Sequence, residues 1–211
     1  MSIASVLRDE VTAAPIGTWF TTRELSSRLG ERRAIDLALS RTAKSGDLVR
    51  VRRGIYWKGE KTRFGTTTPD TFSAGLGALR SFGITAGVGP TGWSASSAIG
   101  LSTQIPAMTH IAVPGRPPAA IRGVKYHARS SRWRSELLPL EVATLEVLRD
   151  FPFRIEAEWD DLVERLLELH EMGSIDLYKI ASVAEKETHV AARERARKVA
   201  ALAAEDESVS A

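Results

Sequence analysis

Six cationic side chains fall between positions 50 and 63: Arg50, Arg52, Arg53, Lys58, Lys61 and Arg63. They are interleaved with Val49, Val51, Ile55, Tyr56 and Trp57, and Gly54 breaks the run just after the arginine pair. Guanidinium groups present planar forks of N–H donors that match phosphate oxygens. A turn this basic repels itself unless an anion neutralises it. Strand pleating over Val49–Arg52 would put Arg50 and Arg52 on one face, where they could straddle phosphates or reach a minor groove. A second basic set precedes it: Arg32, Arg33, Arg41 and Lys44, with the hydroxyl of Ser40 among them. The chemistry implied is recognition of a polyanion.

Catalytic chemistry finds little support. The chain has no cysteine, which excludes disulfides, thiol nucleophiles and cysteine-based metal sites. Its four histidines, His110, His127, His170 and His189, match no zinc-binding spacing. His110 and His127 fall on neighbouring expected strands and read as a structural pair. Glu156, Glu158, Asp160 and Asp161 read as acids favouring the start of a helix. There is no phosphate-binding glycine loop and no serine nucleophile elbow. No catalytic residue, metal or cofactor is assigned, and the chain is not read as an enzyme.

The elements that would position the basic residues follow from periodicity. Ile3, Val6, Leu7 and Val11 recur at helical spacing and predict a helix over 2–14, closed by Pro15 and Gly17. Thr21 and Glu24 form a capping-box signature for a short second helix that stops at Gly30. A third helix over 31–45 would bury Ile35, Ala38, Leu39 and Thr42 and expose Arg33, Asp36, Ser40, Arg41 and Lys44. Leu37 lies on the exposed side. Gly46 closes this helix, and residues 48–51 and 55–57 read as two strands turning at 52–54. Two helices, a third helix and a basic hairpin are the order of a winged helix-turn-helix. The third helix would enter a major groove, with Arg41 and Lys44 at base edges or phosphates. Arg50, Arg52 and Arg53 would meet backbone or minor groove. The candidate DNA-binding set is thus Arg32, Arg33, Ser40, Arg41, Lys44, Arg50, Arg52, Arg53 and Lys58.

The rest of the chain divides by charge. Residues 1–63 balance to +6, residues 64–135 to +6 and residues 136–211 to −9, for a net charge of +3. This pattern predicts a polyanion-binding body with an acidic appendage. Residues 1–63 form the expected first domain and 64–211 the second. The second splits into a basic α/β part (64–135), an acidic helical part (136–204) and a frayed tail (205–211). In the α/β part, helices near 69–80 and 94–101 accompany strands over 108–113 and 121–126, joined by a turn at Pro114–Pro118. Arg116, Arg122, Lys125, Arg129, Arg132 and Arg134 make its expected surface basic. The fold class is α+β: a winged helix-turn-helix, a small α/β middle and a C-terminal helical bundle. The longest uncharged stretch, Ser81 to Gly115, is too rich in Gly, Ser, Thr and Pro for a membrane span. Met1 to Glu10 lacks the order of a secretion signal, so the expected compartment is the cytoplasm.

Several segments carry a family resemblance. Gly30 to Arg41, Lys44 to Leu48 and Arg53 to Tyr56 resemble the N-terminal domain of AbiEi-type antitoxins. Ala95 to Pro106, with its Gly100-Leu101-Ser102-Thr103-Gln104-Ile105-Pro106 run, is similar to a stretch in the second part of the same family. The resemblance covers roughly residues 5–128. It implies an antitoxin of a type IV toxin–antitoxin pair that also represses its own operon. The winged helix would bind inverted repeats of double-stranded DNA in its own promoter. The remainder would oppose a nucleotidyltransferase-like toxin.

Two other readings use the same residues. In one, the chain is a ligand-responsive winged-helix repressor whose residues 66–204 sense a metabolite, with the uncharged Gly/Ser-rich stretch lining a pocket. In the other, the helix-turn-helix targets a metal-dependent nuclease built on the acids at 156–161.

Overall fold

A computed structural model of the chain describes residues 2–119 and 121–210. It is mixed α+β with a helical C-terminal region. The chain divides into two compact units, Met1–Ile84 and Thr85–Ala211. No helix among the described residues is long and apolar enough to cross a membrane.

The first unit begins with α1 (Ile3–Ala13), whose N-terminus is capped by the Ser2 hydroxyl. β1 (Trp19–Thr21) leads directly into α2 (Thr22–Leu29). The Thr21 hydroxyl accepts from the Glu24 amide at 3.1 Å and donates to the Glu24 carboxylate at 3.0 Å. α3 (Arg32–Lys44) follows, then β2 (Val49–Arg52) and β3 (Ile55–Trp57). These strands form an antiparallel sheet in the order β1-β3-β2. Leu7, Val11, Phe20, Leu25, Ile35, Ala38, Leu39, Leu48 and Tyr56 form one buried core beneath it. Each helix contributes its apolar stripe, which is why the 3.6-residue period was a reliable guide.

The unit runs beyond the expected boundary at residue 63. A small hairpin, β4 (Lys61–Thr62) and β5 (Gly65–Thr66), is followed by α4 (Thr71–Ser81). The hairpin is fastened to the end of α3: the Thr66 hydroxyl donates to the Gly46 carbonyl at 2.7 Å, and Lys61 pairs with Asp47 at 2.6 Å. α4 is fastened at Gly77, where a Cβ would meet the Trp19 ring at 2.4 Å. Only a residue without a side chain admits this approach. The first compact unit therefore ends at Ile84, after α4.

The second unit contains β6 (Gly89–Pro90), α5 (Trp93–Ala98), β7 (Thr109–Pro114) and β8 (Val124–Arg129). A 3-10 turn (Arg132–Glu136) precedes α6 (Pro139–Asp150), α7 (Trp159–Glu171), α8 (Leu177–Ala184) and α9 (Val190–Ser210). The sheet order is β6-β7-β8. β7 and β8 are not a hairpin about Pro114–Pro118. They are parallel, in register from Thr109↔Val124 to Pro114↔Arg129, and the second strand starts at Val124 rather than 121. Parallel pairing requires the chain to return to the start of the sheet between Pro114 and Val124. α6 is the centre of the unit, with every residue from Glu141 to Leu148 buried. Of the tail expected to fray over 205–211, residues 205–210 continue α9 through Ser210, and Ala211 lies outside the described residues.

Candidate nucleic-acid interface

Four basic residues of α3 are exposed: Arg32, Arg33, Arg41 and Lys44. Ser40 is half-buried beside them, and Leu37 is 52% exposed. Ile35, Ala38 and Leu39 fill the opposite side. Arg32 and Arg33 occupy the first turn, which has no acidic residue and no side-chain cap. Cations there oppose the helix dipole, so this placement costs stability in the unliganded chain. Asp36 is taken up internally, accepting the Thr22 hydroxyl at 2.6 Å. The Thr22 amide in turn donates to the Gly54 carbonyl at 2.9 Å. Thr22 thereby fixes the β2–β3 turn against both α2 and α3.

The hairpin arginines separate. Arg50 pairs with Tyr56 and Arg52 with Ile55, with a register shift between them. Consecutive partners on β3 belong to opposite pleats, so Arg50 and Arg52 do not share a face as simple alternation predicts. Arg50 is exposed, while Arg52 is half-buried and engaged within the chain. Arg53 is exposed on the turn beside Gly54, which takes φ 77°.

Ser40, Lys44 and Arg50 line one open cleft of about 450 Å³ between α3 and β2, together with Thr66. Arg41 stands on the other flank of α3. It lines a larger groove of about 840 Å³ with Arg8, Asp47 and Lys61. Lys58 leaves the candidate set. Its ammonium donates to the carbonyls of Val11 at 2.6 Å, Thr12 at 2.9 Å and Ala14, closing the C-terminal end of α1. These carbonyls have no helical donor of their own, and a cation suits the negative end of the dipole. Sequence spacing cannot separate such a lysine from a surface one, because its acceptors lie 44 to 47 positions away.

In the second unit the basic surface expected over 64–135 is partly internal. Arg134 is fully buried, as is Glu146, and Glu187 is 3% exposed. Arg134 bonds both carboxylates, and Arg129 grips Glu146 through two nitrogens. Burial raises the Glu146 pKa, but the Arg129 and Arg134 partners and the Thr91 hydroxyl outweigh it and hold the group at about 2. His127 Nε2 lies 3.1 Å from His110 Nδ1. Burial and nearby cations lower both imidazole pKa values. Among the described residues no group of three or more His, Asp or Glu side chains is placed to hold a metal ion.

No protein-family model matches the chain, and no curated protein matches it. Among solved structures it is similar to the RV2827C protein from Mycobacterium tuberculosis, at 19% identity and a TM-score of 0.48. That similarity covers 94% of this chain and 75% of the other.

Proposed function

We propose that the first unit is a winged-helix module that binds duplex DNA, and that the chain is an autorepressing antitoxin of the AbiEi type. The observation that carries the DNA reading is the alignment of Lys44, Ser40 and Arg50 along one cleft beside the exposed basic face of α3. Arg32, Arg33 and Arg53 extend the same donors and form no ion pair among the described residues, while Asp36 and Asp47 accept from Thr22 and Lys61. A helix of this width fits a major groove, and in this reading the Arg50 strand would meet the adjacent phosphates. The antitoxin role rests on the resemblance of residues 5–128. Its partner would be a nucleotidyltransferase-like toxin.

The test is a fluorescence titration of a labelled duplex carrying the operon's own upstream sequence. Affinity should fall linearly on a log–log salt plot, with a slope of about −0.9 per phosphate contact. Lys44→Ala and Arg50→Ala should each weaken binding about ten-fold and shallow that slope. Wild-type affinity in the double variant would overturn the interface. Failure of the full chain to restore growth against the toxin encoded beside it would overturn the antitoxin role.

A further inference from the structure

Three arginines from three separate elements converge on one open cavity of about 450 Å³ in the second unit. Arg129 comes from the last residue of β8, Arg149 from α6 and Arg116 from the turn after β7. Gly115, Ser130 and Thr188 also line it. The cavity sits at the carboxyl ends of the two parallel strands, the edge at which open α/β sheets gather their ligands.

The charges behind it do not balance. Among the described residues, Arg129, Arg134 and Arg149 form ion pairs with two carboxylates, Glu146 and Glu187. Both acids are already committed to Arg129 and Arg134. Arg149 reaches Glu187 only at 3.6 Å, beyond hydrogen-bonding distance, although its side chain is just 25% exposed. Arg134, which lies behind the wall and does not line the cavity, has its Nη2 buried with no hydrogen-bond partner among the described residues. Asp150, another acid whose charge reaches Arg129, is paired with Arg154 at 2.8 Å. Arg116 is exposed at the rim and adds a further cation. An excess of partly buried guanidinium is costly unless an anion completes it.

We propose that this cavity binds the phosphate group of a small molecule. Arg149, held only loosely by Glu187, and the exposed Arg116 supply donors, and Arg129 is held as a fixed wall by Glu146. Thr188 places a hydroxyl at the edge of the same space. The shared chemistry fits free phosphate or the terminal phosphate of a nucleotide, and titration separates the two sources. This site is independent of the DNA interface in the first unit.

The experiment is isothermal titration of the full chain with inorganic phosphate and, separately, with ATP, at fixed ionic strength against chloride. Saturable one-to-one binding of either is expected. Tighter binding of ATP assigns the site to a nucleotide, and equal or tighter binding of phosphate assigns it to the free ion. Arg149→Ala should weaken that binding about ten-fold, as loss of a charged hydrogen bond does. Arg116→Ala, on an exposed turn where unfolding is not at issue, should weaken it several-fold. Absence of saturable binding by both probes overturns the proposal. So does unchanged affinity in the Arg116 variant together with a folded Arg149 variant. Loss of duplex binding alone in these variants would mark the arginines as nucleic-acid contacts and overturn it equally.

Discussion

At the scale of single residues, Glu146 carries the sharpest physical consequence. Its carboxylate is buried among Arg129, Arg134 and Thr91 and titrates near 2, against 4.5 for a free glutamate. The unfolded chain therefore takes up the proton first on acidification. The stability from this group is complete above about pH 4.5 and is lost as pH falls toward 2, a change of about 3 kcal/mol. Glu146→Gln should lower stability at neutral pH by about 3–5 kcal/mol, because half-buried Arg129 loses its carboxylate and buried Arg134 keeps only Glu187. The same variant should lose less than the native chain between pH 5 and pH 3. Urea unfolding at the three pH values measures both effects. An identical acid limb in the two proteins would mean that Glu146 is not the group being protonated.

At the scale of elements, the sheet β1-β3-β2 and the three helices around it are held by a few long-range polar ties. Lys58 ties β3 to the end of α1, Thr22 ties α2 to α3 and to the β2–β3 turn, and Thr66 ties the β4–β5 hairpin to α3. The Lys58 tie distinguishes a structural cation from a DNA-contacting one. Lys58→Met keeps the aliphatic stem and removes the donor, so it should destabilise the unit by about 1–3 kcal/mol. Hydrogen exchange should quicken at the end of α1. The salt slope of duplex binding should stay where it was. A shallower slope with unchanged stability would return Lys58 to the interface.

At the scale of the whole molecule, the division at 84/85 redistributes the charge. The first unit holds 14 basic and 8 acidic residues, a balance of +6. The second holds 15 basic and 18 acidic residues, a balance of −3. The basic stretch before residue 135 thus folds with the acidic helices instead of standing apart from them, and Arg129 and Arg134 are consumed there. Each unit has its own apolar core, so each is expected to fold alone. A fragment of residues 1–84 should melt in one cooperative transition and bind the duplex with the salt slope of the full chain. A fragment of residues 85–211 should not bind it. Duplex binding that needs both fragments would place part of the interface in the second unit. The phosphate cavity, with the DNA-binding reading, is also what a ligand-responsive repressor would require, and the titration bears on that choice as well.

Local signals in the sequence were enough to locate the helices of the first unit, the caps at Thr21 and Gly46, and the exposed basic face of α3. Each depends on residues within one or two turns of each other, where periodicity and capping chemistry act directly. The fates of the individual cations were decided elsewhere. Lys58, Arg129 and Arg134 look like surface charges in sequence. They became structural because their acceptors, at the end of α1 and on α6 and the α8–α9 loop, arrive from distant positions. The Arg50–Arg52 pleat was undone by a one-residue register shift, and the β7–β8 pair turned out parallel. Strand pairing and charge neutralisation join residues far apart in the chain, so only the folded molecule could settle which arginines remain free to meet a phosphate.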